Sequence, residues 1–165
     1  MPLRSLSKKS IATGVAYTES NRDKQAIEPL KNALKINPDD DVAYLNLGIA
    51  YKNIGEHEEA IDAFLELIRI RFKDPDAYFL LASEYFVEDL YDDAIKRFKD
   101  AIRLYPDHID AHFELSQVYV ETGDLEKSLK EFEKVTQIQP RNLEGQYRKG
   151  DIFQRLGDDK AAAKS

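Results

Sequence analysis

Residues 41–74 read DVAYLNLGIAYKNIGEHEEAIDAFLELIRIRFKD, and residues 75–108 read PDAYFLLASEYFVEDLYDDAIKRFKDAIRLYPDH. Laid one over the other, they place Tyr44 on Tyr78, Leu47 on Leu81, Tyr51 on Tyr85, Ala60 on Ala94 and Phe64 on Phe98. The same step of 34 residues continues outward in both directions. Tyrosines stand at Tyr17, Tyr51, Tyr85 and Tyr119, with Phe153 next. Ala26, Ala60 and Ala94 form a second ladder, continued by Ser128 and Ala162, and Leu30, Phe64, Phe98 and Phe132 form a third. Pro38, Pro106 and Pro140 keep a fourth. Self-similarity at a fixed period of this length is the signature of a stacked repeat architecture.

Inside each period the apolar residues recur at helical spacing, as in Tyr44, Leu47 and Ile54, then Ile61, Phe64, Leu65 and Ile68. Two helices per period are expected, separated at Asn21, Gly55, Asp89, Gly123 and Gly157, residue types that tolerate a left-handed turn. NPDDD at 37–41 and YPDH at 105–108 stop one helix and start the next. Small residues at Gly14, Gly48, Ala82, Ser116 and Gly150 would let paired helices approach closely, and the aromatic ladders would fill the remaining space.

These positions resemble the tetratricopeptide repeat, whose pattern runs roughly W-x2-L-G-x2-Y, then A-x3-F, then P. The second period supplies Tyr44, Leu47, Gly48, Tyr51, Gly55, Ala60 and Phe64; the third supplies Tyr78, Leu81, Ala82, Tyr85, Ala94, Phe98, Ala101 and Pro106. The resemblance covers residues 7–165, divided as 7–40, 41–74, 75–108, 109–142 and a partial unit 143–165, behind an N-terminal extension 1–6. It implies an all-α, right-handed superhelical solenoid of antiparallel helix pairs, with four full repeats and a truncated fifth.

Some positions depart from the pattern. No tryptophan occupies the fourth place of a unit, which holds Ser10, Tyr44, Tyr78, His112 or Gln146. Pro29 falls inside a predicted second helix, where it should remove one backbone bond and bend the helix or, as a kink near the helix start, be tolerated. Leu67 stands where a small residue is usual and Phe72 where proline is usual, so the second helix of that unit should run long or its junction open. The sequence stops within the second helix of the fifth unit, which points to a longer parent chain or to something covering the last hairpin.

Bulk composition narrows the function. A net charge of −7 disfavours nucleic acid, which needs a basic face for phosphates. With no cysteine there is neither a disulfide framework nor a thiolate metal site, and a cytoplasmic location is expected. MPLRSLSKKS at the start lacks an apolar core of signal-peptide length, and no stretch approaches the ~20 apolar residues of a membrane span. No phosphate loop or HExxH motif occurs. His108 and His112 are four apart, yet one belongs to an inter-repeat loop and the other to a packing position, with no third ligand. Asp92 and Asp93 lie at a solvated turn, and DDD at 39–41 complements a helix start. No catalytic residue, cofactor or metal is expected.

The resemblance implies that first helices line the concave face. Read by register, the groove residues include Leu45, Ile49, Lys52, Asn53, Phe79, Ser83, Phe86, Val87, Phe113, Gln117, Val120 and Tyr147. The centre of that row is apolar and its rim charged, the pattern of an interaction surface. A protein or peptide ligand with apolar anchors, docked as a helix or extended segment, is the expected partner. The competing reading is that these side chains only pack between neighbouring first helices. Some tetratricopeptide domains hold acidic chaperone tails with a clamp of lysine, asparagine and arginine. Here the corresponding places carry Ile11, Val15, Asp76 and Leu80, and only Asn46 matches; shifting by one unit puts Asp110 and Glu114 where cations belong. The expected role is a non-catalytic interaction scaffold. Its rivals are the regulatory or targeting region of a larger enzyme, and a scaffold that self-assembles through the uncapped C-terminal hairpin.

Overall fold

The computed structural model describes residues 2–162, with side chains described for 3–157. Among the described residues every regular element is an α-helix: α1 (Pro2–Glu19), α2 (Asp23–Ile36), α3 (Asp41–Asn53), α4 (His57–Ile70), α5 (Pro75–Val87), α6 (Tyr91–Leu104), α7 (Ile109–Glu121), α8 (Leu125–Ile138) and α9 (Leu143–Ala162). Each helix packs on the one before and the one after it, giving four antiparallel hairpins in a right-handed stack with α9 laid on the last.

Local chemistry sets the boundaries, and it repeats. Asp40, Asp74, His108 and Asn142, spaced by the period, each accept a backbone N–H at the start of the following helix, from Ala43, Asp76, Ala111 and Gly145 respectively. That satisfies one of the donors a helix start leaves open. Within each hairpin the turn passes through a left-handed residue: Asn21 at φ 54, Gly55 at 81, Asp89 at 57 and Gly123 at 79. The carbonyls of Tyr17, Tyr51, Tyr85 and Tyr119 then accept the N–H five residues on, from Arg22, Glu56, Leu90 and Asp124. This 6→1 bond closes the C-terminus of the first helix.

Leu30, Phe64, Phe98 and Phe132 are fully buried rungs, with Ala26, Ala60, Ala94 and Ser128 packed beside them. Close approach explains the small residues opposite. A Cβ on Gly14 would come within 2.5 Å of Leu30, and one on Gly48 within 2.4 Å of Phe64. Tyr51 and Tyr119 are buried, while Arg22, Lys31 and Lys99 lie over the faces of Tyr17, Tyr51 and Tyr119 at 4.9, 5.5 and 5.8 Å from the ring centres. Each lysine stem thereby shields an aromatic ring from water while its ammonium stays wet.

Two expectations change. Helix α4 is 14 residues long, like α2, α6 and α8: Leu67 is simply buried at the place of Ala33 and Ala101, Phe72 points outward, and Asp74 with Pro75 restarts the chain on time. Pro29 leaves α2 continuous from Asp23 to Ile36, so the helix tolerates the one donor it lacks. The extension 1–6 is helical from residue 2 and lengthens α1.

The second correction is the larger. Gly157 does not separate two helices, because α9 runs through it to Ala162. A glycine inside a helix costs only ~1 kcal/mol relative to alanine, so Gly157 does not by itself end one. Gly150 consequently has no helix to approach, with nothing within 4 Å of a Cβ built there. Phe153, the fifth member of the tyrosine ladder, is 68% exposed.

Candidate partner-binding groove

The odd-numbered helices make one face of the stack. Among them α1 touches α3 and α5 touches α7, whereas the even-numbered helices meet their odd-numbered neighbours. The face formed by these odd-numbered helices is the expected concave one. Their side chains therefore determine what the groove offers.

From α3, Leu45 and Ile49 are half-buried and pack on the core formed by Leu47, Ala50 and Phe64. Lys52 is half-buried and Asn53 exposed, its amide donating to Asp23 Oδ1 at 3.1 Å. From α5, Phe79 is half-buried, its ring 5.9 Å from Phe98 and 5.1 Å from the His108 imidazole. Ser83 is half-buried with its hydroxyl returned to the Phe79 carbonyl at 3.0 Å. Phe86 leans on Tyr91 with ring centres 6.2 Å apart, and Val87 is 54% exposed. From α7, Phe113 meets Phe132 edge to face at 5.5 Å, and Gln117 and Val120 are half-buried. On α9, Tyr147 stands 72% exposed.

Leu45, Ile49, Phe79, Phe86, Phe113 and Val120 each bury one side against a core aromatic or aliphatic residue and present the other outward. Tyr147 is set apart from them at the end of the stack, on a helix with no following partner among the described residues.

The electrostatics hold one feature the sequence reading missed. Glu84 of α5 is completely buried. Its Oε2 accepts from His57 Nδ1 at 2.8 Å, linking α5 to the first residue of α4. Its Oε1 faces Lys52 Nζ at 3.5 Å and accepts no hydrogen bond. The signal was in the register: one period either way stand Ala50 and Val118, both buried and apolar. Glu114 of α7 is half-buried. Burial pushes its carboxyl above the ordinary range, Lys52 pulls it down and Asp110 pushes it up again. Among the described residues no cation stands within 4 Å of Glu114.

His108 and His112 do structural work. His108 caps α7 and holds Asp76 at 3.2 Å through Nε2. His112 is buried between Glu131, 2.6 Å from Nδ1, and the Pro106 carbonyl, 2.9 Å from Nε2. Burial alone would lower its pKa; the Glu131 hydrogen bond, the Pro106 carbonyl and the Glu131 charge outweigh that and raise it. Among the described residues no group of three or more His, Cys, Asp or Glu could hold a metal, and no helix is long and apolar enough to cross a membrane.

Comparison with known proteins follows the same lines. Models described as TPR repeat and tetratricopeptide repeat match residues 14–55, 42–74 and 88–147. No curated protein matches the chain. Among solved structures, that of the MamA protein is 26% identical with a TM-score of 0.88, covering 96% of this chain and 87% of that one. YrrB, described as a TPR protein with an unusual peptide-binding site, is 20% identical with a TM-score of 0.78, covering 90% and 76%. The first TPR of Spaghetti (RPAP3), solved bound to the HSP90 peptide SRMEEVD, is 23% identical with a TM-score of 0.68, covering 71% and 93%.

Proposed function

The chain belongs to the tetratricopeptide repeat family, and from that premise we propose that it is a non-catalytic, cytoplasmic scaffold whose inner groove takes a helix or extended peptide of a partner protein. The observation that carries this reading is the inner row itself. Leu45, Ile49, Phe79, Phe86, Phe113 and Val120 are anchored from behind by the core and still present apolar surface, with Val87 fully outward between them. A rigid, pre-packed apolar strip costs little ordering entropy when a partner docks, which is what a recognition surface requires. The formal charge of −7 makes nucleic acid a poor ligand. An acidic tail such as the one bound by RPAP3 is also a poor fit, because Asp110 and Glu114 stand where a clamp needs cations.

The test is a crosslinking pull-down from lysate with the chain as bait, and Phe79→Glu combined with Phe113→Glu as control. Those rings also touch the core, so Ser83→Trp with Gln117→Trp, which fills the groove from half-buried positions, serves as a second control. Partners retained by both folded controls would refute groove docking.

A second reading rests on α9. Leu143, Tyr147 and Phe153 are 79%, 72% and 68% exposed on one terminal helix, an apolar face that a second copy could cover. Sedimentation velocity across a hundredfold range of concentration decides it: a monomer throughout removes self-association.

A further inference from the structure

The groove's apolar row says that a partner brings apolar anchors; its buried charges say what stands between them. Glu84 comes from the middle of the stack and Glu114 from the helix beyond; Lys52 pairs with Glu84 at 3.5 Å, while its charge is felt at Glu114 without an ion pair. Asp110, one helical turn before Glu114, adds a third carboxylate. His57 occupies one oxygen of Glu84 and leaves the other, fully buried Oε1, without a hydrogen bond on the side of Lys52. Lys52 itself is 40% exposed at the groove surface, free to swing toward water. A half-buried Glu114 with no cation within 4 Å among the described residues, and a buried Glu84 oxygen with an unused lone pair beside one partly exposed ammonium, make a local deficit of positive charge. Taking carboxylates out of water is costly unless a cation or donor compensates.

We propose that the groove selects peptides carrying a lysine or arginine between apolar anchors, and that this side chain is held by Glu114, with Lys52 drawn fully onto Glu84. The proposal rests on groove docking and specifies the partner class that docks there. A guest ammonium or guanidinium beside Glu114 forms a charge-assisted hydrogen bond in a partly desolvated place, where such bonds are strongest. Lys52 is ion-paired with Glu84 but gives its Oε1 no hydrogen bond, and it forms no ion pair with Glu114. With the guest in place, each buried carboxylate has its own cation.

The experiment uses the full chain and a phage-displayed library of random 12-residue peptides as probe. Peptides selected on the wild type are synthesised and measured by fluorescence anisotropy against wild type, against Ser83→Trp with Gln117→Trp, and against Glu114→Gln, each checked for helicity by circular dichroism. Loss of binding to the groove-filled variant establishes docking in the groove. Every lysine or arginine in those peptides is then replaced by norleucine or its arginine-length neutral counterpart. The expected result is that removing the cation weakens binding to wild type about tenfold or more. Glu114→Gln should lose the same factor for the parent peptide and no longer distinguish parent from neutral peptide. Groove-dependent peptides that lack a cation, or whose affinity changes less than about twofold on either substitution, overturn the cation claim and leave groove docking standing. Peptides that bind the groove-filled variant as well as wild type, or a selection that yields none, overturn both.

Discussion

Replacing Glu84 by methionine should make this protein more stable. The side chain is completely buried, and withdrawing a carboxylate from water costs several kcal/mol even after the surroundings relax. Against that stand one charge-assisted hydrogen bond from His57 at 2.8 Å, which contributes about 1.5–3 kcal/mol, and the attraction of Lys52. Lys52 Nζ is 3.5 Å away on a side chain 40% exposed, so solvent screens it and the pair contributes about 1 kcal/mol or less. In the methionine variant neither partner is stranded, since His57 is 28% and Lys52 40% exposed and both can turn to water. The layers on either side already bury Ala50 and Val118 at the same place. The expected gain is about 1–3 kcal/mol, the range seen when buried ion pairs are exchanged for apolar groups of similar volume. In urea, with a slope of about 2 kcal/mol per molar, the midpoint should rise by about 0.5–1.5 M. Far-UV circular dichroism during urea titration at pH 7 reads it, with Glu84→Ala alongside to show the separate cost of a cavity. A midpoint lowered by about 0.5 M or more in the methionine variant would refute the reasoning, because the interactions of the carboxylate would then outweigh its desolvation.

Other consequences are as direct. Phe98→Ala, at a fully buried rung against Phe79, should cost about 3–5 kcal/mol in the same titration. Gly55→Ala places a Cβ at φ 81 and should cost about 1–2 kcal/mol, whereas Asn21→Gly, at φ 54 in the equivalent turn, should gain about 0.5–1 kcal/mol; paired thermal melts check both. His112 has a folded pKa above its ordinary 6.5, so its contribution is complete below that value and fades as the pH rises through the folded one. Urea midpoints at pH 5.5 to 8.5 should therefore show Glu131→Gln losing most against wild type at the acid end and converging with it at the alkaline end. An unchanged difference across that range would show that His112 stays in one protonation state.

Much of the architecture was legible because the physics that makes a repeat also writes it. A hairpin buries its apolar face only against neighbours, so Phe64, Phe98 and Phe132 must recur in step, and so must the left-handed turns at Asn21, Gly55, Asp89 and Gly123. The caps at Asp40, Asp74, His108 and Asn142 could be read the same way, although histidine in that role is legible only once its neighbours in register are known. Extrapolating the rule failed where the packing that enforces it stops. Gly157 repeats a turn residue, but the helix continues through it to Ala162. Leu67 and Phe72 broke the consensus without moving a boundary, because Asp74 and Pro75 determine where α5 starts whatever precedes them. For the candidate groove, register places each residue on a helix but not how deeply its side chain sits. Phe79 and Phe113 are shared between core and surface, a division that depends on rotamers facing Phe98 and Phe132. Glu84 escaped notice because a glutamate in a charged helix reads as surface until its layer-mates Ala50 and Val118 are seen to be interior.

The unequal contacts along the two sides of the stack make the molecule a spring with a stiff inner edge. Helices α1 and α3 touch, as do α5 and α7, while the even helices make their main contacts with the odd ones beside them. Changing the pitch therefore slides the outer helices past open space rather than prying them apart. A ligand seated along α3, α5 and α7 grips the stiff edge, and the outer helices absorb whatever adjustment its length demands.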